Sequence, residues 1–289
     1  MKGFLDKMRP APEMRRILIL WLVLSVIATP LVAIFVGPLL PPGAASDAAH
    51  GQQQDNTVMT ALVTPIVIAL LVYFVYCLIS WRVPREADVG DGPPLRGLPS
   101  IMGTWVAVTL LVVIFLATWG SYELFPGETG AGGGQGPDPL AVATPAAAKT
   151  ALRVQVIGQQ WQWTFRYPSF GGVETTQLVL PVNRQVRFEV TSIDVVHSFW
   201  AIQLGVKADA VPDEANVAFV KPVKLGTFDI RCAELCGLWH GHMATHGQVV
   251  SMPAFQRWIA GQRRRWAPIQ KYLPPMKRTY MPQPDYRAG

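Results

Sequence analysis

Between Cys232 and Met243 the chain reads CAELCGLWHGHM, which gathers Cys232, Glu234, Cys236, His240 and Met243 into twelve residues. The chain has only three cysteines, and two of them fall in this stretch. Two thiolates, an imidazole and a thioether are soft donors that suit copper, with zinc as the rival. A further strong ligand is needed, and His197, in DVVHSFW, stands 35 residues before Cys232. Two competing readings use the same residues: a Cys232–Cys236 disulfide, and a structural zinc site on two Cys and two His. Cys77 lies inside an apolar run and is read as packing.

Such a cluster needs a rigid scaffold, and the surrounding sequence supplies one. From Leu152 onward the stretches LRVQVIGQQWQWTFRY, TTQLVL, QVRFEV, ANVAFVKPV, GTFDIRC and HGQVVSM are rich in β-branched and aromatic residues, with Pro, Gly, Asn or Asp between them. This pattern predicts an all-β sandwich or barrel over 151–260, closed by a helix at PAFQRWIAGQ. Thr227 to Arg231 reads as a strand and Gly237 as a break, so Cys232, Cys236 and His240 are expected on a loop at one end of a sheet. His197 is expected at the end of another strand. Trp161 and Trp163 of QWQW are expected within a strand, on opposite faces.

The first 120 residues belong to a different medium. Half of the 289 residues are hydrophobic and only 15% are charged, against about 25% in soluble domains. The runs 17–36, 57–81 and 101–120 contain no Asp, Glu, Lys or Arg, and each has about the 20 residues needed to cross a bilayer. Three transmembrane helices are predicted. The first run exceeds the roughly 7 to 15 apolar residues of a signal peptide, so it is read as retained in spite of Gly43-Ala44-Ala45-Ser46. Lys2, Lys7, Arg9, Arg15, Arg16, Arg82, Arg85 and Arg96 flank the spans on one side, while 41–56 has no basic residue. The positive-inside rule therefore puts the N-terminus in the cytoplasm and the C-terminal domain outside the cell membrane. Residues 121–150, with GETGAGGGQGPDP, read as a linker, and 261–289 as a basic, Pro-containing tail.

With these residues in place the sequence resembles subunit II of haem-copper cytochrome c oxidases. That family carries Cys-x-Glu-x-Cys-x-x-x-His-x-x-Met together with Asp-x-x-His-Ser-Phe, and both patterns are complete here, in Asp194 to Phe199 and Cys232 to Met243. LGVKADAVP and GQQWQWTFRY agree as well. The resemblance implies a cupredoxin-like Greek-key β-barrel behind the membrane helices. It also implies a binuclear copper centre, CuA, in which Cys232 and Cys236 bridge two copper ions and His197 and His240 each cap one. Met243 would be a weak axial ligand and Glu234 would bind through its backbone carbonyl. Trp161 would receive electrons. The Glu234 carboxylate would help hold a magnesium or manganese ion shared with subunit I. His242 and His246 match no motif position.

The implied function is to accept electrons from cytochrome c or a similar carrier and pass them to haem in subunit I, where oxygen is reduced to water. The partners would be subunit I, other oxidase subunits, lipid and a separate donor; nucleic acid is not expected. The chain has no Cys-x-x-Cys-His and so no covalent haem of its own. Alternatives are a nitric oxide reductase subunit with the same copper centre, or a structural zinc- or copper-binding domain. A quinol oxidase subunit would lack the copper ligands.

Two departures from the family pattern matter. Met102 stands where the family has a Glu near a proton channel, and Glu86, Asp88 or Asp91 are the nearby replacements. From Lys149 onward there are 17 Lys and Arg against 9 Asp and Glu, with Arg263, Arg264, Arg265, Lys271, Lys277 and Arg278 near the end. Like charge slows the approach of a basic cytochrome, so an acidic donor, a donor held in a partner complex, or tail contacts with lipid are expected.

Overall fold

The computed structural model describes residues 12–40, 43–80, 99–124, 150–214, 216–270 and 272. Glu86, Asp88, Asp91, most of the predicted linker and most of the predicted tail lie outside them. The chain divides into two units, one comprising 1–40 and 54–119 and the other 41–53 and 120–289.

The first unit is helical. Helices α1 (Pro12–Leu31), α2 (Asp47–Ser80) and α3 (Pro99–Leu124) are each long and apolar enough to cross a membrane. Their apolar residues are exposed all round, as with Leu22, Leu70 and Leu111, which suits a lipid solvent rather than water. Between α1 and α2 the indole of Trp21 donates to the Pro65 carbonyl at 2.8 Å. Met102 is exposed on α3. Helix α2 begins well before Thr57, because the Ser46 hydroxyl caps it by accepting from the N–H of Ala49 at 3.0 Å.

The second unit is a pair of five-stranded sheets. One has the order β3–β2–β1–β5–β8, from Val173–Thr175, Gln162–Tyr167, Leu152–Gln159, Val186–Ser192 and Asn216–Val220. The other has the order β4–β10–β9–β6–β7, from Leu178–Pro181, Ala244–Val250, Gly226–Cys232, His197–Ala201 and Val206–Ala210. β1 pairs in parallel with β5, and β4 with β10; the remaining pairs are antiparallel. This is the cupredoxin-like β architecture the sequence leads one to expect, behind helices able to span a membrane.

Alternation along the strands fills the space between the sheets. Phe165, Phe188, Phe199 and Phe228 are fully or almost fully buried there, each contributing about 2 to 3 kcal/mol by leaving water. Phe199 is the hub, with edge-on or tilted contacts to Trp163, Phe165 and Phe188. Tyr167 places its hydroxyl between the Val179 N–H and carbonyl, both at 3.0 Å, and burial holds its phenol well above the ordinary range. Helix α4 (Met252–Gln270) covers this end with Phe255 and Trp258 against Tyr167. It runs on into the residues read as tail, with Arg263, Arg264 and Arg265 exposed.

Two features depart from the sequence expectation. The stretch LRVQVIGQQWQWTFRY is two strands, β1 and β2, with Gly158 opposite Trp163 and Gln159 opposite Gln162. Trp161 therefore sits in the two-residue turn instead of a strand. In one continuous strand, residues 161 and 163 would share a face; the turn is what separates them, leaving Trp161 half-buried and Trp163 in the core. The second departure is that residues 45–52 form part of the β unit. The Ser46 hydroxyl donates to the Leu204 carbonyl at 2.7 Å, Val223 N–H to Ala45 O at 2.9 Å, and Gln52 Nε2 to Gly205 O at 2.9 Å.

Candidate metal centre

The register of the second sheet brings the distant ligand to the cluster. β6 lies beside β9 with Phe199 opposite Cys232, so the first residue of β6, His197, reaches the loop that begins where β9 ends. Cys232 is thus the last strand residue rather than a loop residue. The loop closes on itself through Cys232 N–H to Met243 O at 3.0 Å, and onto β6 through Ala233 N–H to Ser198 O at 2.9 Å.

The side chains then converge. The sulfurs of Cys232 and Cys236 are 3.7 Å apart. Nδ1 of His197 is 3.8 Å from the Cys232 sulfur, and Nδ1 of His240 is 3.6 Å from the Cys236 sulfur. The Met243 sulfur is 3.8 Å from Cys236, and the Glu234 carbonyl oxygen is 3.2 Å from Cys232. His197, Cys232, Cys236 and Met243 are buried, whereas Glu234 is exposed, so its carbonyl turns toward the cluster and its side chain toward solvent. All six residues singled out from the sequence meet at one place.

Electrostatics prepare the pair for a cation. Burial opposes ionisation of Cys232, but hydrogen bonds from His197 and from the backbone of Ser198 and Glu234, with His240 adding, bring its thiol down to about 6. Burial and then the neighbouring Cys232 push Cys236 up to about 11. One negative charge is therefore favoured and a second is opposed until a cation offsets it. His197 is raised even though burial works against its charged form, because it faces Cys232 and Asp194.

Asp194 is a member of the site to which no role attached in the sequence. Its Oδ1 is 2.8 Å from His197 Nε2, so the carboxylate accepts Nε2–H, and a metal that displaced the Nδ1 proton would meet a lone pair there. Burial works against the Asp194 carboxylate, yet the Gln160 and Val195 N–H groups and His197 hold it below its usual range. Its signal in the sequence was the Asp three residues before a candidate ligand His. Gly158 leaves the ring its room, since a Cβ there would lie 2.9 Å from His197 Cδ2 and 3.2 Å from Trp163.

The remaining candidates separate cleanly. The Trp161 indole donates to the Cys236 carbonyl at 3.2 Å. His242 makes a tilted ring contact with Trp239, centroids 5.3 Å apart, and His246 pairs with Asp229 at 2.8 Å. Neither belongs to the cluster of His197, Cys232 and Cys236, whose ligand atoms lie within 4.8 Å of one another.

The donor chemistry decides between the readings of the cluster. A disulfide needs sulfurs about 2.05 Å apart, and all three cysteines are free. Tetrahedral zinc is complete with about four ligands, whereas six donors gather here, two of them thiolates and one a thioether. This soft, sulfur-rich set in a cupredoxin-like fold fits a copper centre.

Comparison with known proteins agrees. The family profile for the periplasmic domain of cytochrome c oxidase subunit II matches residues 173–250. Cytochrome c oxidase subunit 2 of Thermostichus vulcanus is 28% identical over 278 residues, covering 83% of this chain and 84% of that protein. Its counterpart in Synechocystis is 27% identical, covering 86% and 83%. Among solved structures, the periplasmic domain of subunit II of cytochrome oxidase from Bradyrhizobium japonicum is 32% identical, with 39% of this chain and 94% of that chain covered at a TM-score of 0.38. A soft donor cluster at the end of a cupredoxin-like sheet, the periplasmic-domain profile matched over residues 173–250 and relatives that align along most of both chains all make this chain similar to subunit II of cytochrome c oxidase.

Proposed function

We propose that the chain is the electron-accepting subunit of a respiratory terminal oxidase, taking single electrons from a reduced carrier and passing them to haem in the catalytic subunit, where oxygen is reduced. The observation that carries this reading is the paired geometry, with two sulfurs 3.7 Å apart and each facing the Nδ1 of its own histidine. Cys232 and Cys236 would bridge two copper ions, His197 and His240 would cap them, and Met243 and the Glu234 carbonyl would complete the set. Such a bridged pair, when bound, shares one electron over two nuclei and so changes little in geometry between redox states. The protein's part is to hold the ligands in place beforehand: strand β6 carries His197 and β9 carries Cys232, Asp194 orients His197, and burial keeps water from the sulfurs.

Trp161 is the residue proposed to receive the electron, since its indole is bonded to the carbonyl of a ligand residue and its ring is half-buried. The Glu234 carboxylate, turned outward, is proposed to share a magnesium or manganese ion with the catalytic subunit. The carrier is proposed to be acidic or held within a partner complex, in keeping with the excess of 17 basic over 9 acidic residues from Lys149 onward. The β unit is proposed to face the outside of the cell membrane, with the N-terminus in the cytoplasm.

Purified full-length chain reconstituted with copper tests the reading. Two coppers per chain and an electron paramagnetic resonance signal split over both nuclei are expected. One copper per chain, or preferential zinc retention without such a signal, overturns it.

A further inference from the structure

Gln160 is exposed, yet both ends of it are tied to the metal-bearing loops. Its main-chain N–H donates to Asp194 Oδ2 at 2.6 Å, and the other oxygen of Asp194 holds His197. Its side-chain Nε2 donates to the Cys236 carbonyl at 2.8 Å, the same oxygen that accepts the Trp161 indole at 3.2 Å. A carbonyl oxygen has two lone pairs, so these two donors together fill it. Gly237 makes the approach possible: its φ is +115°, and a Cβ there would lie 3.0 Å from Gln160 Nε2 and 3.4 Å from the Trp161 ring.

We propose that Gln160 is a positioning residue that clamps the Cys236 carbonyl and the Asp194 loop together and so holds the Trp161 indole against the ligand residue it serves. The amide fixes the direction of the carbonyl, and the fixed carbonyl gives the longer, weaker indole bond a stationary acceptor. Released from it, the loop carbonyl turns toward water, which competes for the indole N–H. The inference deepens the reading of Trp161 as electron acceptor, but its geometry is testable without that reading.

The test uses the full chain, copper-loaded and reduced in detergent, with tryptophan replaced by 5-fluorotryptophan; Trp161→Phe identifies the fluorine resonance of Trp161. Gln160→Met keeps the length and the main-chain bond and removes only the amide. The ratio of bonded to released Trp161 is expected to fall roughly two- to tenfold, the span set by one neutral hydrogen bond, and the resonance to shift or split accordingly. Copper per chain stays the same. A Trp161 resonance superposing on that of the unmutated chain overturns the proposal. The unmutated protein supplies a second readout: with ¹⁵N-glutamine, the Gln160 amide protons are expected to exchange at least about twofold more slowly than those of the exposed Gln162 and Gln256. Equal exchange overturns the proposal even where the variant does not fold. Photoinduced electron injection separates the two ideas: if Trp161→Phe leaves the injection rate unchanged, the role of Trp161 fails while a shifted resonance still supports the clamp.

Discussion

Asp194 Oδ1 stands 2.8 Å from Nε2 of His197, while Nδ1 of the same ring faces the Cys232 sulfur at 3.8 Å. One carboxylate thereby holds the Nε2 proton, so that a metal displacing the Nδ1 proton would find a lone pair facing it. Asp194→Ala is expected to weaken copper binding by about 10- to 100-fold, with Asp194→Asn less harmful because its carbonyl still accepts from Nε2–H. Competition against a chelator of known affinity measures this, and wild-type retention by Asp194→Ala contradicts it.

The two thiols should titrate apart. In metal-free protein Cys232 is depressed to about 6 and Cys236 raised to about 11. Alkylation is expected to modify Cys232 first, with a rate rising through pH 6 and levelling above it, while Cys236 stays slow until strongly alkaline pH. The depressed group favours folding at high pH, and its contribution fades as pH falls from the unfolded-thiol range toward 6. Copper loading near pH 8 should release the proton of Cys236, so affinity rises with pH between the two values. Mass-spectrometric mapping of the alkylated cysteine follows the order directly.

Gly158 backs the imidazole. Because a Cβ at 2.9 Å would strike the fully buried His197 ring, Gly158→Ala is expected to displace the ligand and lower copper affinity by about tenfold or more, comparable to losing an outer partner of the ring. The same titration used for Asp194 reads it out.

Glu234 should divide by atom. Its carbonyl oxygen lies at Cys232 and its side chain is exposed. Glu234→Gln is expected to keep the copper count and resonance spectrum, while manganese bound by the intact oxidase is reduced. Loss of copper in this variant would refute the assignment of the carbonyl.

Tyr167 tests the scaffold away from the metal. Its hydroxyl serves both the N–H and the carbonyl of Val179, so Tyr167→Phe leaves two buried backbone groups unserved. A loss of about 1 to 3 kcal/mol is expected in denaturant unfolding followed by circular dichroism, with copper spectra unchanged.

The cluster of candidate ligands was legible because metal chemistry demands particular atoms at particular spacings. Cys232, Cys236, His240 and Met243 lie close in the chain, and their side chains meet whatever the distant fold does, given a tight loop. The membrane helices were legible for an equally local reason: apolar length and missing charge are properties of a segment. The β class followed from β-branched and aromatic runs, although the boundary at Gln160–Trp161 did not, because QQWQW contains no Gly, Pro or Asn to mark a turn.

What only the tertiary structure decided were relations between distant segments. The pairing of β6 with β9 brings His197 to Cys232 across 35 residues, and no periodicity specifies a strand's partner. The roles of Asp194, Gln160 and Gly158 depend on which ring or carbonyl lies within 3 Å, a matter of packing and not of composition. The attachment of residues 45–52 to the β unit hides in a short polar connector for the same reason. The sequence by itself determined the chemistry of the donors and the medium of each segment, since both reside in the residues; the fold decided their mutual distances, since those arise when strands far apart in the chain bury their apolar faces together.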